Sequence, residues 1–241
     1  MLSSAGVFVP AYNAARHLEG VIERIPAAAW DMLRVVWIVN DGSTDATAEV
    51  AGRLGRSGRP VREWRFERNQ GYGAVARKGL ALCQTDGCDV AVCLHGDGQY
   101  PSEDLPRFVS AVREQGWDIL QGSRIASGTA LAGGMPLYKY LAGRALTALE
   151  NAVFGLRMSD YHSGFLAYSR KAMETLPFER FSGSFDFDLE VIASARARGL
   201  NVGELPIPTR YADEVSHLNP LKYGMSVLGV MGRYLAGRYR P

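Results

Sequence analysis

Residues 89–105 read DVAVCLHGDGQYPSEDL. An apolar run through Val90 and Val92 to Leu94 gives way to one carboxylate, Asp97, held between Gly96 and Gly98. The run has the length and β-branched content of a buried strand. Pro101, Glu103 and Asp104 then open a helix that runs to about Glu114. A buried strand that ends in Gly-Asp-Gly puts a charge where the chain leaves the sheet, and open α/β sheets place their chemistry at that edge.

The same alternation extends on both sides. Upstream, AGVFV (5–9) predicts a strand stopped by Pro10, and residues 14–25 carry Leu18, Val21, Ile22 and Ile25 at helical spacing. LRVVWIV (33–39) predicts a second strand, and Ser43 or Thr44 can cap the helix after it, with Asp45 near its positive end. VREWRFERN (61–69) alternates like a strand, and GAVARKGLALC (73–83) predicts a helix. Downstream, WDILQG is a fifth strand. Five β–α alternations predict an α/β fold, a mainly parallel central sheet with helices on both faces.

The second half changes character. Residues 123–134, SRIASGTALAGG, are small and Gly-rich and read as a loop able to close over a substrate. A long helix over 135–155, a strand at SGFLAYS, a helix ending at Gly199 and a strand at LNVGELPIP follow. The terminal helix sets Leu221, Met225, Leu228, Met231 and Leu235 along one stripe, with Arg233, Arg238 and Arg240 at its end. Such a stripe lies on an anionic membrane surface or docks on its own domain or a second subunit.

Composition is that of a globular chain: 241 residues, 47% hydrophobic, 22% charged, net charge +2. That charge argues neither for nor against nucleic acid, and no nucleic-acid partner is expected. Cys83, Cys88 and Cys93 are five residues apart, which fits no CxxC metal pair, so they read as free core thiols in a reducing cytosol. The N-terminal residues lack a signal-peptide pattern, and no apolar run is long enough to span a bilayer.

Three constellations carry chemistry. At the tips of the first two strands, VPAYN and VNDGSTD, Tyr12 can stack on a flat ring and Asp41 can accept hydrogen bonds from a base or a ribose. Asn-Asp-Gly-Ser is equally good turn chemistry. In the second, NQGYGAVARKG, Gly71-x-Gly73-x-x-Ala76 fits the dinucleotide fingerprint. It follows the third strand, whereas the dinucleotide fold normally uses the first, so a Rossmann oxidoreductase is the disfavoured rival. In the third, Asp97 and Gln99 can face the same way and suit a hard divalent ion, Mg²⁺ or Mn²⁺, with His95 a further candidate ligand. A capped strand-to-helix turn is the plainer reading.

Taken in order, VFVPAYN, IVNDGSTD, NQGYGAVARKG, LHGDGQYPSEDL, GSR, DYHSGFLAYSR, FDFDLEVI and ELPIPTRY resemble glycosyltransferase family 2, with the GT-A fold, in the branch of dolichyl-phosphate mannose synthase and bacterial polyprenyl-phosphate sugar synthases. The resemblance covers roughly residues 5–215. It implies a GT-A catalytic domain over 1–215, a nucleotide-binding half at 1–121 and an acceptor half at 122–215, followed by an amphipathic helix at 216–241. Pro10, Tyr12, Asn13, Asp41 and Asp97 would hold the nucleotide of a nucleoside diphosphate sugar. Asp97 would be the second acid of an Asp-x-Asp metal motif, with Gln99 a further ligand and His95 standing where the family has its first acid. Ser123, Arg124 and Lys139 would grip the acceptor's phosphate, and Asp160 with Ser163, Gly164 and Phe165 would lie beneath the site. Asp188 and Glu190 fall near the acceptor and are the candidate bases, with Asp97 and Arg124 completing the catalytic set.

The implied activity is inverting transfer of a sugar to a polyprenyl phosphate at the membrane surface. The implied location is cytoplasmic, peripheral on the inner face of the membrane, and a homodimer is compatible. Transfer to a hydroxyl, or an inactive nucleotide-sugar-binding module in which His95 has broken the metal motif, are the alternatives. A nucleotidyltransferase would need a basic triphosphate loop after the first strand, and PAYNAARH is a poor one.

Overall fold

The computed structural model describes residues 4–131, 134–208 and 220–241, with the backbone alone for Lys139, Pro220 and Leu221. Its centre is a seven-stranded sheet in the order β3-β2-β1-β4-β6-β5-β7. The strands are β1 (Ala5–Ala11), β2 (Leu33–Asn40), β3 (Val61–Arg65), β4 (Val90–Cys93), β5 (Ile119–Ser123), β6 (Leu166–Ser169) and β7 (Val202–Pro206). All pair in parallel except β6, which runs antiparallel to both β4 and β5.

Residues of period two feed two cores, one on each face of the sheet. Val7, Val9, Val36, Ile38, Val90 and Val92 point to one core. Phe8, Val35, Val39, Ala91 and Cys93 point to the other. The first core is closed by α1 (Leu18–Glu23), α2 (Ala27–Trp30), α3 (Thr47–Gly55) and α5 (Leu105–Gln115). The second is closed by α4 (Tyr72–Thr85), α6 (Leu137–Phe154), α7 (Arg170–Thr175), α8 (Phe187–Ala197) and α9 (Pro220–Leu235). The three cysteines are buried free thiols in that second core.

Several elements differ from their sequence expectation for identifiable reasons. Pro10 does not stop β1, which pairs with β2 through Ala11. Phe8 and Pro10 turn their carbonyls toward β4 and its continuation, accepting from Leu94 and Gly96. The missing Pro10 N–H therefore falls beyond the last residue of β4, where no ladder bond is lost. Residues 15–17 form a turn, so α1 begins only at Leu18. Asp45, rather than Ser43 or Thr44, caps the turn into α3 by accepting from the Thr47 N–H and hydroxyl. The stripe foreseen on the terminal helix splits. Met231 is buried beside Val227 and Val230, whereas Met225, Leu228 and Leu235 are exposed. The helix docks on α8 and α6 through Val227 and Val230, which the stripe left out.

Topology decides what meets. Because β1, β2, β4 and β5 share one direction, their carboxyl ends leave the same edge. The antiparallel β6 starts at that edge, so the stretch from Asp160 to Phe165 enters there too.

Candidate active site

The tips of β1 and β2 are laced together. Asn13, the single described non-glycine residue with positive φ (51°), donates its N–H to Ser43 Oγ at 3.0 Å. Its Oδ1 accepts from the Thr44 N–H at 2.9 Å. The lacing leaves Tyr12 52% exposed at the edge, free to meet a flat ring. Asn13 itself acts as a brace between the two tips.

Asp41 has a structural task. Its two oxygens accept from the Gln70 and Gly71 N–H groups, at 2.7 and 3.0 Å. It is nearly buried and holds the turn into α4. The glycines of that turn answer to protein backbone. A Cβ on Gly71 would lie 2.8 Å from the Gly183 carbonyl oxygen, and one on Gly73 would lie 2.1 Å from that of Ser182. The Gly73 N–H donates to Gly183 at 3.0 Å. The fingerprint spacing here packs α4 against a loop before α8 and makes no dinucleotide cradle.

Asp97 and Gln99 stand together at the end of β4, where the Gln99 N–H donates to Asp97 Oδ1 at 3.0 Å. Gly98 (φ 83°) makes the reversal, and its carbonyl accepts from Arg24 Nη2. Both side chains are oxygen donors and half-buried. Among the described residues no three His, Cys, Asp or Glu side chains converge into a ready-made cage. The two oxygen donors at this turn fit a hard divalent ion whose other ligands are substrate oxygens and water. His95 does not turn its Nε2 to this set. Its ring packs on Tyr72 and Tyr100, and its buried, unpartnered Nε2 faces Gly164, where a Cβ would lie 2.4 Å away. Burial lowers its pKa, and it is a neutral wedge against the Ser163-Gly164-Phe165 stretch.

Across β6 lies the second group. Arg124 follows β5, and its Nη2 donates to the His162 carbonyl at 3.1 Å while Nε lies 4.0 Å from Asp160 Oδ2. The guanidinium is half-buried and fixed. Ser123 is fully buried, sharing a hydrogen with Ser159 Oγ and accepting from the Ala126 N–H. It shapes the turn that follows and does not itself face a ligand. Lys139 sits in the first turns of α6, and its side chain lies outside the described residues. Sequence reading missed Glu150. It is completely buried, and its Oε2 lies 3.3 Å from His162 Nε2. The available signal was its standing as the one acid in the 18 residues of α6.

The two acids of α8 part ways. Asp188 points under β4, where its Oδ2 accepts from the Tyr72 hydroxyl at 2.7 Å. Burial pushes its pKa up to about 7 against the opposing pull of that hydrogen bond. Glu190 faces the C-terminal tail, and its carboxylate accepts from the Ser182 N–H, Arg233 Nη2 and the Tyr239 hydroxyl. Three donors tie that carboxylate to the tail and to the loop before α8, so Glu190 reads as a structural anchor and not as a base.

The model of the family described as Glycosyl transferase family 2 matches residues 6–176. The chain is 26% identical over 219 residues to the UDP-N-acetylglucosamine--dolichyl-phosphate N-acetylglucosaminyltransferase of Methanococcus voltae, covering 86% of each chain. It is 27% identical over 221 residues to the dolichyl-phosphate hexose transferase of Haloferax volcanii, covering 92% of this chain and 89% of that one. Among solved structures it superposes on glucosyl-3-phosphoglycerate synthase from Mycobacterium tuberculosis, in complex with Mn²⁺, UDP and glucosyl-3-phosphoglycerate. The TM-score is 0.69 at 19% identity, covering 99% of this chain and 81% of the other. That likeness carries the fold.

Proposed function

The chain belongs to glycosyl transferase family 2 and has its GT-A fold, and from that premise we propose that it moves a sugar, with inversion, from a nucleoside diphosphate sugar to a polyprenyl phosphate. The relatives named above carry dolichyl-phosphate acceptors in their names. One observation supports the same acceptor here. A single sheet edge carries the oxygen donors Asp97 and Gln99 at the end of β4. It also carries, two strands away, a guanidinium held by the Asp160–His162 turn.

In this reading Tyr12, beside Pro10, stacks on the base, and Asn13 and Asp41 keep the nucleotide-side loops in place. Asp97 and Gln99 would hold Mg²⁺ or Mn²⁺, which when bound neutralises charge on the departing diphosphate. Arg124, with Lys139 as a second cation, positions the acceptor phosphate. A phosphate is already an anion at neutral pH, so its attack on the sugar needs no general base. The halves 1–121 and 122–215 then divide the labour into donor and acceptor sides, joined through one sheet.

We place the reaction at the inner membrane surface. No helix among the described residues is long and apolar enough to cross a membrane. Leu137, Tyr138, Leu141 and Leu149 of α6 and Met225, Leu228 and Leu235 of α9 are exposed on two helices that touch each other. The free cysteines accord with a reducing compartment.

A second reading has its own observation. A carboxyl poised near neutrality, as Asp188 is, is what deprotonation of a hydroxyl acceptor requires. One experiment separates the readings. Thermal shifts with UDP, GDP and CDP sugars, each with and without Mn²⁺, identify the donor. Transfer to a short polyprenyl phosphate and to the matching polyprenol then identifies the acceptor. A metal-dependent shift with transfer to the phosphate alone is expected. Equal transfer to the alcohol would favour the Asp188 reading, and no shift with any nucleotide would leave an inactive module.

A further inference from the structure

The buried charge on α6 has no part in the chemistry above, and its surroundings assign it one. Glu150 is the single acid of α6, and its residue has no exposure at all. A carboxylate is costly there, and a packed apolar residue would be cheaper. Its contact is His162 Nε2, at 3.3 Å. The other ring nitrogen, Nδ1, lies 3.0 Å from the Tyr223 hydroxyl of α9. Both nitrogens of His162 therefore face protein groups, Nδ1 the Tyr223 hydroxyl and Nε2 the Glu150 carboxylate, the latter at ion-pair distance without a hydrogen bond.

The backbone of the same residue faces the acceptor side. The His162 N–H donates to Asp160 Oδ1 at 2.8 Å, and its carbonyl accepts from Arg124 Nη2. Arg124 Nε faces the other oxygen of Asp160. His162 thus has its ring pinned by α6 and α9 while its main chain fixes the guanidinium. Burial lowers the imidazole pKa, but the facing Glu150 and Asp160 carboxylates outweigh it and raise it, while burial raises the pKa of Glu150 itself.

We propose that Glu150, His162 and Tyr223 form a positioning unit that holds Arg124 in register for an anionic acceptor, with His162 the residue through which α6 and α9 act. The proposal rests on the reading of Arg124 as the acceptor's phosphate grip. No member of the unit touches the reacting atoms. All three act through the turn at residues 160–162.

The test uses the full chain and the variants His162→Ala, His162→Gln and Tyr223→Phe. Kinetics with a short polyprenyl phosphate should show the acceptor KM rising roughly tenfold in His162→Ala, with donor KM and kcat within about twofold. His162→Gln, whose amide can still reach one helix, should recover part of the loss. A second readout needs no turnover: the ¹⁵N signal of Arg124 Nε, assigned by its absence in Arg124→Lys. It should shift or broaden in His162→Ala and move less in Tyr223→Phe. Donor and acceptor KM rising together, or an unmoved Arg124 signal in a folded His162→Ala chain, would overturn the unit. A wild-type chain that used no phosphate acceptor would undo the functional reading alone, and the Arg124 signal would still decide the positioning.

Discussion

The Tyr72 hydroxyl donates to Asp188 Oδ2 across 2.7 Å, joining the first residue of α4 to α8 beneath β4. The second oxygen of Asp188 is buried with no hydrogen-bond partner among the described residues. Burial raises the carboxyl from 3.8 to about 7, so the native state holds this proton when the unfolded chain has lost it. Stability therefore falls as pH rises from about 4 to about 7 and is level above that, by on the order of 2–4 kcal/mol in all. Asp188→Asn should remove this slope and be more stable than wild type at pH 8, in urea melts at pH 4, 5, 6, 7 and 8. Tyr72→Phe, which loses the donor that favours the ionised form, should extend the slope to higher pH. A wild-type stability that is flat from pH 4 to 7 would show that Asp188 ionises freely.

Gly73→Ala sets a Cβ 2.1 Å from the Ser182 carbonyl oxygen and 2.8 Å from the Gly183 backbone. Backbone cannot rotate away, so the 182–183 loop must shift and its bond from the Gly73 N–H must lengthen. The expected cost is roughly 1–3 kcal/mol. Gly143→Ala is the control, since a Cβ at this position in α6 meets nothing within 4 Å. It should gain roughly 0.5–1 kcal/mol from helix propensity. Equal effects of the two substitutions in thermal melts would mean that the loop before α8 is not packed on α4.

Much of this was legible because it is local. The apolar runs of β1, β2 and β4 alternate between two cores, so their residues announce a two-faced sheet. Asp97 and Gln99 are two residues apart and meet through one turn. What escaped depends on distant partners. Whether Glu190 is a base or a tail anchor is decided by Tyr239, 49 residues on, and whether Asp188 is ionised by the burial that distant segments give it, with Tyr72, 116 residues back, pulling the other way. The glycines of the 71–76 stretch match a ligand fingerprint, yet the neighbour that requires them is the Ser182–Gly183 backbone. His95 stands where the family resemblance implies an acid, and the neighbour that gives it room, Gly164, leads into β6, the strand beside β4.

Asp97→Asn is a clean substitution for the metal reading. The amide oxygen can still accept from the Gln99 N–H, so the turn at 3.0 Å survives, while the second oxygen becomes an NH₂ that cannot ligate a cation. Turnover should fall by roughly 10²–10³ while the melting temperature without metal stays within about a degree. The added thermal shift from Mn²⁺ in the presence of nucleoside diphosphate should vanish. A retained shift would move the ion elsewhere. Retained turnover would remove Asp97 from the mechanism.

The exposed apolar face on α6 and α9 makes a prediction that deletion cannot test. Removing α9 would open the core at Val227 and Val230, both fully buried, and any loss of binding would report unfolding. Surface substitutions avoid that. Leu137, Leu141, Met225 and Leu228 are each about half exposed or more, so replacing all four with Gln should change stability little. Wild-type chain should co-sediment with vesicles containing anionic lipid, and the fourfold variant should stay in solution. Among the described residues of α6 and α9 no exposed side chain is a carboxylate, and Arg144 of α6 suits lipid headgroups. If the wild type ignored vesicles but ran as a dimer that the substitutions split, the covering surface would be a second copy of the chain. If neither measurement changed, the face would be bare and the acceptor would have to reach the site without it.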